Sequence, residues 1–139
     1  MKKRILALGI ALLMLAGILV GCGGKEPAKT EGPDTGGVKK AALLLSGPAN
    51  DQGWNAIAVA GLDALKEQHG VETAFMENVQ VADMEAAYND YASQGFDMVI
   101  GHGFQFGEPA AKVSVNYPDQ FFMATESSSK STNMSSYVM

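Results

Sequence analysis

The sequence predicts an α/β fold built on a parallel sheet, doubly wound in the flavodoxin-like and Rossmann-like manner. Three observations carry that expectation. An uncharged run from Ala41 to Ser46 ends at Gly47-Pro48 and reads as a strand buried on both faces. A helical apolar pattern follows almost at once. Further short apolar runs then alternate with helical patterns, the signature of successive β-α-β units with right-handed crossovers and helices on both faces. The 139 residues suffice for one domain of ordinary size.

The first part of the chain is not fold. Lys2, Lys3 and Arg4 form a basic start, an apolar run extends from Ile5 to Val20, and Gly21-Cys22 closes it, the plan of a secretory signal peptide over residues 1–21. The run is shorter than the roughly 20 residues a membrane-spanning helix needs. Leu19-Val20-Gly21-Cys22 resembles the lipobox of bacterial lipoproteins, which implies cleavage before Cys22 and lipid on its thiol and new N-terminus. Cys22 is the sole cysteine, so no internal disulfide competes for it. Two or more acyl chains, at about 0.8 kcal/mol per buried CH₂, would anchor it stably to the outer face of the cell membrane. Residues 22–37 are mostly Gly, Lys, Glu, Pro, Thr and Asp, a flexible tether with a root-mean-square reach of roughly 20 Å.

The globular part is expected over 38–139. After the first strand, Trp54, Ile57, Ala58, Gly61, Leu62 and Leu65 form one apolar helical stripe, with Asn50 or Asp51 able to cap its start and Gly70 to end it. Val71 to Met76 is a second strand. Asp83 is placed to cap a second helix whose Met84, Ala87, Tyr88, Tyr91 and Ala92 face inward and which Gly95 stops. Phe96 to Ile100 is a third strand, followed by a glycine-rich loop to Gly107. Pro109 suits the first turn of a third helix that ends before Pro118, and Gln120 to Ala124 is a fourth strand. Serines crowd 127–136, which reads as a loop, and Tyr137-Val138-Met139 reads as the beginning of another strand. That ending makes the chain the expected N-terminal part of a longer protein, whose missing elements would leave apolar sheet surface uncovered and residues 38–139 poorly soluble alone.

Several residue groups together resemble the basic membrane protein family, substrate-binding lipoproteins of ABC importers that include purine nucleoside receptors. They are the lipobox, Asn50-Asp51-Gln52-Gly53-Trp54-Asn55, the run Tyr91 to Gly101, Gly103-Phe104, and Asn133-Met134-Ser135-Ser136-Tyr137. The resemblance covers essentially the whole chain and about the first third of a typical member. It implies a periplasmic-binding-protein type I fold, of which most of the N-terminal lobe is present, closing with a second lobe on a ligand. It also implies ABC permease subunits as partners and a ligand wall made by Asp51, Trp54 and Asn55 with Gly103 and Phe104. The family often has an aspartate after the fourth strand, where this chain has Thr125-Glu126, so Glu126 is the candidate there.

The residues themselves point to the same place. With strand order 2-1-3-4, the switch point falls between strands one and three, whose loops hold Trp54-Asn55 and Gly103-Phe104. Flat rings there could stack on a nucleobase, and Asp51 and Asn55 could hydrogen-bond it. Competing roles are core or interlobe packing for Trp54, capping for Asp51, and packing for Phe106. His102 reads as a loop residue.

Charge and motifs narrow the function class. The chain has 10 basic and 15 acidic residues; loss of Lys2, Lys3 and Arg4 with the signal leaves seven against fifteen, a net charge of −8. That argues against nucleic acid as a partner. Gly101, Gly103 and Gly107 miss the dinucleotide fingerprint by one place and follow the wrong strand, and neither a nucleophile elbow nor a phosphate loop is present. Two distant histidines and one lipidated cysteine offer no metal cluster. The expectation is a non-enzymatic, lipid-anchored solute receptor of an ABC importer without cofactor or metal, with a nucleoside as ligand. The alternative is a surface sensor of the same fold that signals to a membrane partner.

Overall fold

Residue Lys40 opens β1 (Lys40–Leu45), and from Ala41 to Leu45 every side chain is buried, because both faces of this strand are covered. The computed structural model describes residues 37–138; the expected signal segment 1–21, Cys22 and the expected tether as far as residue 36 lie outside the described residues, as does Met139. After β1 come α1 (Trp54–His69), β2 (Glu72–Met76), α2 (Met84–Ser93), β3 (Met98–His102), α3 (Gly107–Ser114), β4 (Phe121–Thr125) and β5 (Met134–Tyr137). Single 3-10 turns at Val81–Asp83 and Phe104–Phe106 lead into α2 and α3. The strands form one parallel sheet in the order β2-β1-β3-β4-β5.

The two faces of the sheet are unequally covered. Ala42, Leu44, Val99, Phe122 and Ala124 point to the side packed by α2 and α3, where Tyr88 and Phe106 are fully buried. All five inward residues expected of α2 are buried. Ala41, Leu43 and Leu45 point to the other side, where the only helix among the described residues is α1, seated through Leu62, Ala58 and Leu65. The stripe of α1 therefore does not pack as one surface: Trp54, Ile57 and Gly61 are exposed, because this edge of the helix overhangs β3 and β4. Gly70 ends α1 at φ +68° with its N–H on the Lys66 carbonyl.

Strands β1, β2 and β4 shift by a single residue from the sequence expectation, and three departures are larger. First, β3 runs two residues later than Phe96–Ile100. Phe96 instead packs edge-on against Tyr91, and the Asp97 carboxylate accepts the Lys39 and Lys40 N–H groups at 2.7 and 2.8 Å. Gly101 belongs to the strand, where a Cβ would collide with the Tyr88 hydroxyl and the Phe106 ring. Second, Asp83 precedes α2 without a side-chain capping bond, since its own backbone is already helical in the 3-10 turn.

Third, β5 begins at Met134, inside the serine-rich segment. Parallel neighbours ordinarily need a helical crossover, but here residues 127–133 make the return without a helix, ending in a tight turn closed by the paired Ser131 and Met134 backbones. Seven residues reach roughly 23 Å, more than the roughly 16 Å of a five-residue strand. The strap lies along α3. Ser129 Oγ donates to Glu108 near the start of that helix, Ser131 pairs with Ser114 at its end, and Asn133 Nδ2 reaches the carbonyls of Ser114, Tyr117 and Gln120.

Candidate functional site

The sheet order places the switch point between β1 and β3, so the turns leaving those strands are neighbours at the C-terminal edge. The Asp51 loop, the Gly103-Phe104 turn and the Thr125-Glu126 turn all leave that edge.

Asp51 holds the start of α1. One carboxylate oxygen accepts the Gly53 and Ala56 N–H groups, and the other accepts the Asn55 N–H and the Asn55 side-chain amide, at 2.9 to 3.1 Å. A carboxylate offers about four acceptor positions, and these four bonds fill them. The Asn55 N–H above all, with those of Ala56 and Gly53, holds the Asp51 pKa below the usual carboxylate value. Asn55 is buried, and its Oδ1 has no hydrogen-bond partner among the described residues. Its amide nitrogen lies where a Cβ on Gly47 would come within 2.8 Å, so Gly47 leaves room for it.

Trp54 is 42% exposed. One face of the indole stacks on the His102 ring, with centroids 4.2 Å apart and planes inclined by 22°. His102, at the end of β3, is buried; its Nε2 meets the Trp54 carbonyl at 3.1 Å and its Nδ1 meets Thr125 Oγ1 at 3.2 Å. A carbonyl only accepts, so Nε2 carries the proton and Nδ1 accepts from the threonine hydroxyl. Burial pushes the His102 pKa below its ordinary value, against the opposing pull of the Trp54 carbonyl, Asp51 and Glu126.

Phe104 is 74% exposed on its 3-10 turn, whereas Phe106 is fully buried. Gly103 adopts φ +134°, with the Gln105 side chain folded over it. Glu126 follows β4 in the left-handed region, at φ +54°, and its N–H donates to the Tyr137 carbonyl. Below Trp54, a groove of about 450 Å³ opens between α1 and the sheet, lined by Ile57, Leu62, Ile100, His102, Met123 and Thr125 among others. It is almost wholly apolar. Among the described residues no three His, Cys, Asp or Glu side chains come together to hold a metal, and no helix is long and apolar enough to cross a membrane.

The structure thus brings Asp51, Trp54 and Asn55 to one helix start and sets Gly103, Phe104 and Glu126 on the adjoining turns. Sequence reasoning read His102 as a loop residue, where the structure makes it the last residue of β3, and gave Thr125 no role of its own. The available signal was the alternation of Met98, Ile100 and His102, which puts all three on the α1 face once β3 is extended by two residues.

Residues 38–139 match the family model of PnrA-like ABC transporter substrate-binding proteins. The chain belongs to that family. An uncharacterized lipoprotein of Pyrococcus abyssi is 35% identical over 129 residues, which are 91% of this chain and 31% of that protein. The transcriptional activator protein med of Bacillus subtilis is 26% identical, over 98% of this chain and 40% of its own length. The nucleoside-binding protein BmpA of Lactococcus lactis, named as an ABC transporter component, is 25% identical over 91% of this chain and 37% of its own length. Among solved structures, a solute-binding protein of Conexibacter woesei superposes with a TM-score of 0.67 and 28% identity, over 71% of this chain and 34% of that one. The chain spans about a third of the length of these relatives. The parallel α/β sheet is consistent with that family membership and with the solved solute-binding protein.

Proposed function

We propose that this chain supplies one wall of the solute site in a lipid-anchored receptor of an ABC importer, and that the solute is a nucleoside, purine nucleosides first. One observation carries the reading: a half-exposed indole, backed on one face by His102, stands at the switch point beside the turn that bears an exposed phenyl ring. A flat, neutral heterocycle suits such rings, and stacking on one is worth about 1–3 kcal/mol per base in single-stranded nucleic acids. Asn55 Oδ1, buried without a donor among the described residues, suits a base or ribose N–H or O–H once the loop adjusts around it. Asp51 serves by fixing the loop, since its acceptor positions are filled from within. Gly103 allows the close turn, and Glu126 stands where a ribose hydroxyl could be met.

The nucleoside-binding relative in Lactococcus supports the ligand class, and the lipoprotein relative in Pyrococcus supports the anchor at Cys22. No catalytic step is assigned to the site; binding closes two lobes, and the closed form docks on the permease. Calorimetric titration of the full-length protein with adenosine, inosine, cytidine and glucose tests the ligand. Heat from the purine nucleosides, weakened about 5- to 150-fold by Trp54→Ala, is expected. Silence from every nucleoside would remove the reading.

The similarity to a transcriptional activator favours a second reading, a receptor whose output is a signal. Neighbouring genes for an ATPase and a permease are expected for the importer, and their absence would favour the sensor.

A further inference from the structure

We infer that His102 is the positioning residue of this mouth: as a neutral ring with its proton on Nε2, it fixes both the Trp54 indole and the first turn of α1 over the ends of β3 and β4. The inference rests on the reading of Trp54 as a ligand wall, but its geometry stands apart from any ligand. His102 touches three elements at once. Its ring plane is the platform under the indole, Nε2–H holds the carbonyl of the same tryptophan, and Nδ1 takes the Thr125 hydroxyl. Backbone and side chain of Trp54 are therefore tied to one imidazole, which leaves the indole little freedom to swing over the groove.

The tautomer is set by chemistry and not by chance, because a carbonyl on one nitrogen and a hydroxyl on the other are satisfied together only with the proton on Nε2. Protonation of Nδ1 takes away its lone pair, and the Thr125 hydroxyl must turn from donating to accepting. The charged groups acting on the ring are Asp51, ahead of α1, and Glu126, after β4; both favour the imidazolium, while burial opposes it more strongly. At neutral pH the ring is thus uncharged, and the arrangement is intact.

The same geometry supplies a readout. Trp54 is the only tryptophan of the 139 residues, and an imidazolium stacked on an indole quenches its emission. In the ligand-free full chain, Trp54 emission should fall on acidification with a midpoint below 6.5, the ordinary histidine value. His102→Gln, whose amide nitrogen and oxygen can replace Nε2–H and Nδ1, should abolish the titration and leave acrylamide quenching of Trp54 near that of the parent. His102→Ala should raise acrylamide quenching, and it should weaken adenosine binding about fivefold or more while His102→Gln recovers most of that loss. An emission profile shared by the parent and His102→Gln would overturn the inference, as would equal acrylamide quenching in the Gln and Ala variants. If the emission and quenching results hold but adenosine fails to bind to any variant, the positioning role stands and the nucleoside reading falls.

Discussion

At the scale of single residues, the site depends on groups whose bonding capacity is already committed. Asp51 illustrates this. Its folded pKa lies below the unfolded value of 3.8 because backbone N–H groups favour the carboxylate. Stability from this group is present above the unfolded value and is lost as the pH falls through the lower folded one. Thermal melts from pH 6 to pH 2.5 should show that acid-range loss in the parent and less of it in Asp51→Asn, whose Tm is lower throughout; parallel curves would refute the assignment. Gly101 is the counterpart on the opposite face of the sheet. Tyr88, whose phenol burial raises well above the usual tyrosine range, and Phe106 fill the space a side chain would need. Gly101→Ala should cost about 1–3 kcal/mol in urea denaturation, because a fully buried pair of rings has nowhere to move. Sequence alone placed Gly101 in a loop. Glycine ordinarily weakens a strand, and nothing local announces that two aromatic rings from α2 and the 3-10 turn converge on it.

Among the elements, the strap from Ser127 to Asn133 does the work of a crossover helix, and Asn133 is its anchor. Its amide nitrogen, with two protons, lies within 3.0 Å of three carbonyls at the end of α3 and in the turn before β4. Asn133→Ala should destabilise the chain by about 1–3 kcal/mol and speed hydrogen exchange in β5 first, whereas Ser128→Ala, at an exposed position, should stay within about 0.5 kcal/mol. Exchange that is unchanged in β5 would contradict this. The alternating strands and helices were legible in the sequence because β1, β3 and β4 are apolar and α2 presents a clean inward face. The start of β5 was not. Among the described residues its serines sit on an edge strand paired with β4 alone, where polar residues are tolerated, and membership comes from that pairing and not from any local preference. His102 was missed for a related reason, since its role depends on which residues lie opposite it across the sheet.

For the whole molecule, the unequal covering of the sheet has a physical consequence. On the α1 side the row Leu43, Ile100, Met123, Ser135 runs from beneath the helix out to an open face, and the next row carries His102, Thr125 and Tyr137. Ile57, on the overhanging edge of α1, is 73% exposed and lines the groove of about 450 Å³, while Tyr137 on β5 is 56% exposed and Phe121 on β4 37%. Contiguous apolar surface of this kind is ordinarily covered in a stable assembly. Residues 38–139 expressed alone should therefore self-associate at micromolar concentration, bind a hydrophobic dye and melt broadly. Ile57→Lys together with Tyr137→Lys places charge on α1 at the groove and on β5 without touching the core, and should shift the population toward monomer and lower dye binding. Size-exclusion chromatography with dye fluorescence measures both. A parent fragment that elutes as a monomer, excludes the dye and melts in one sharp transition would show that α1 and the sheet close this face by themselves.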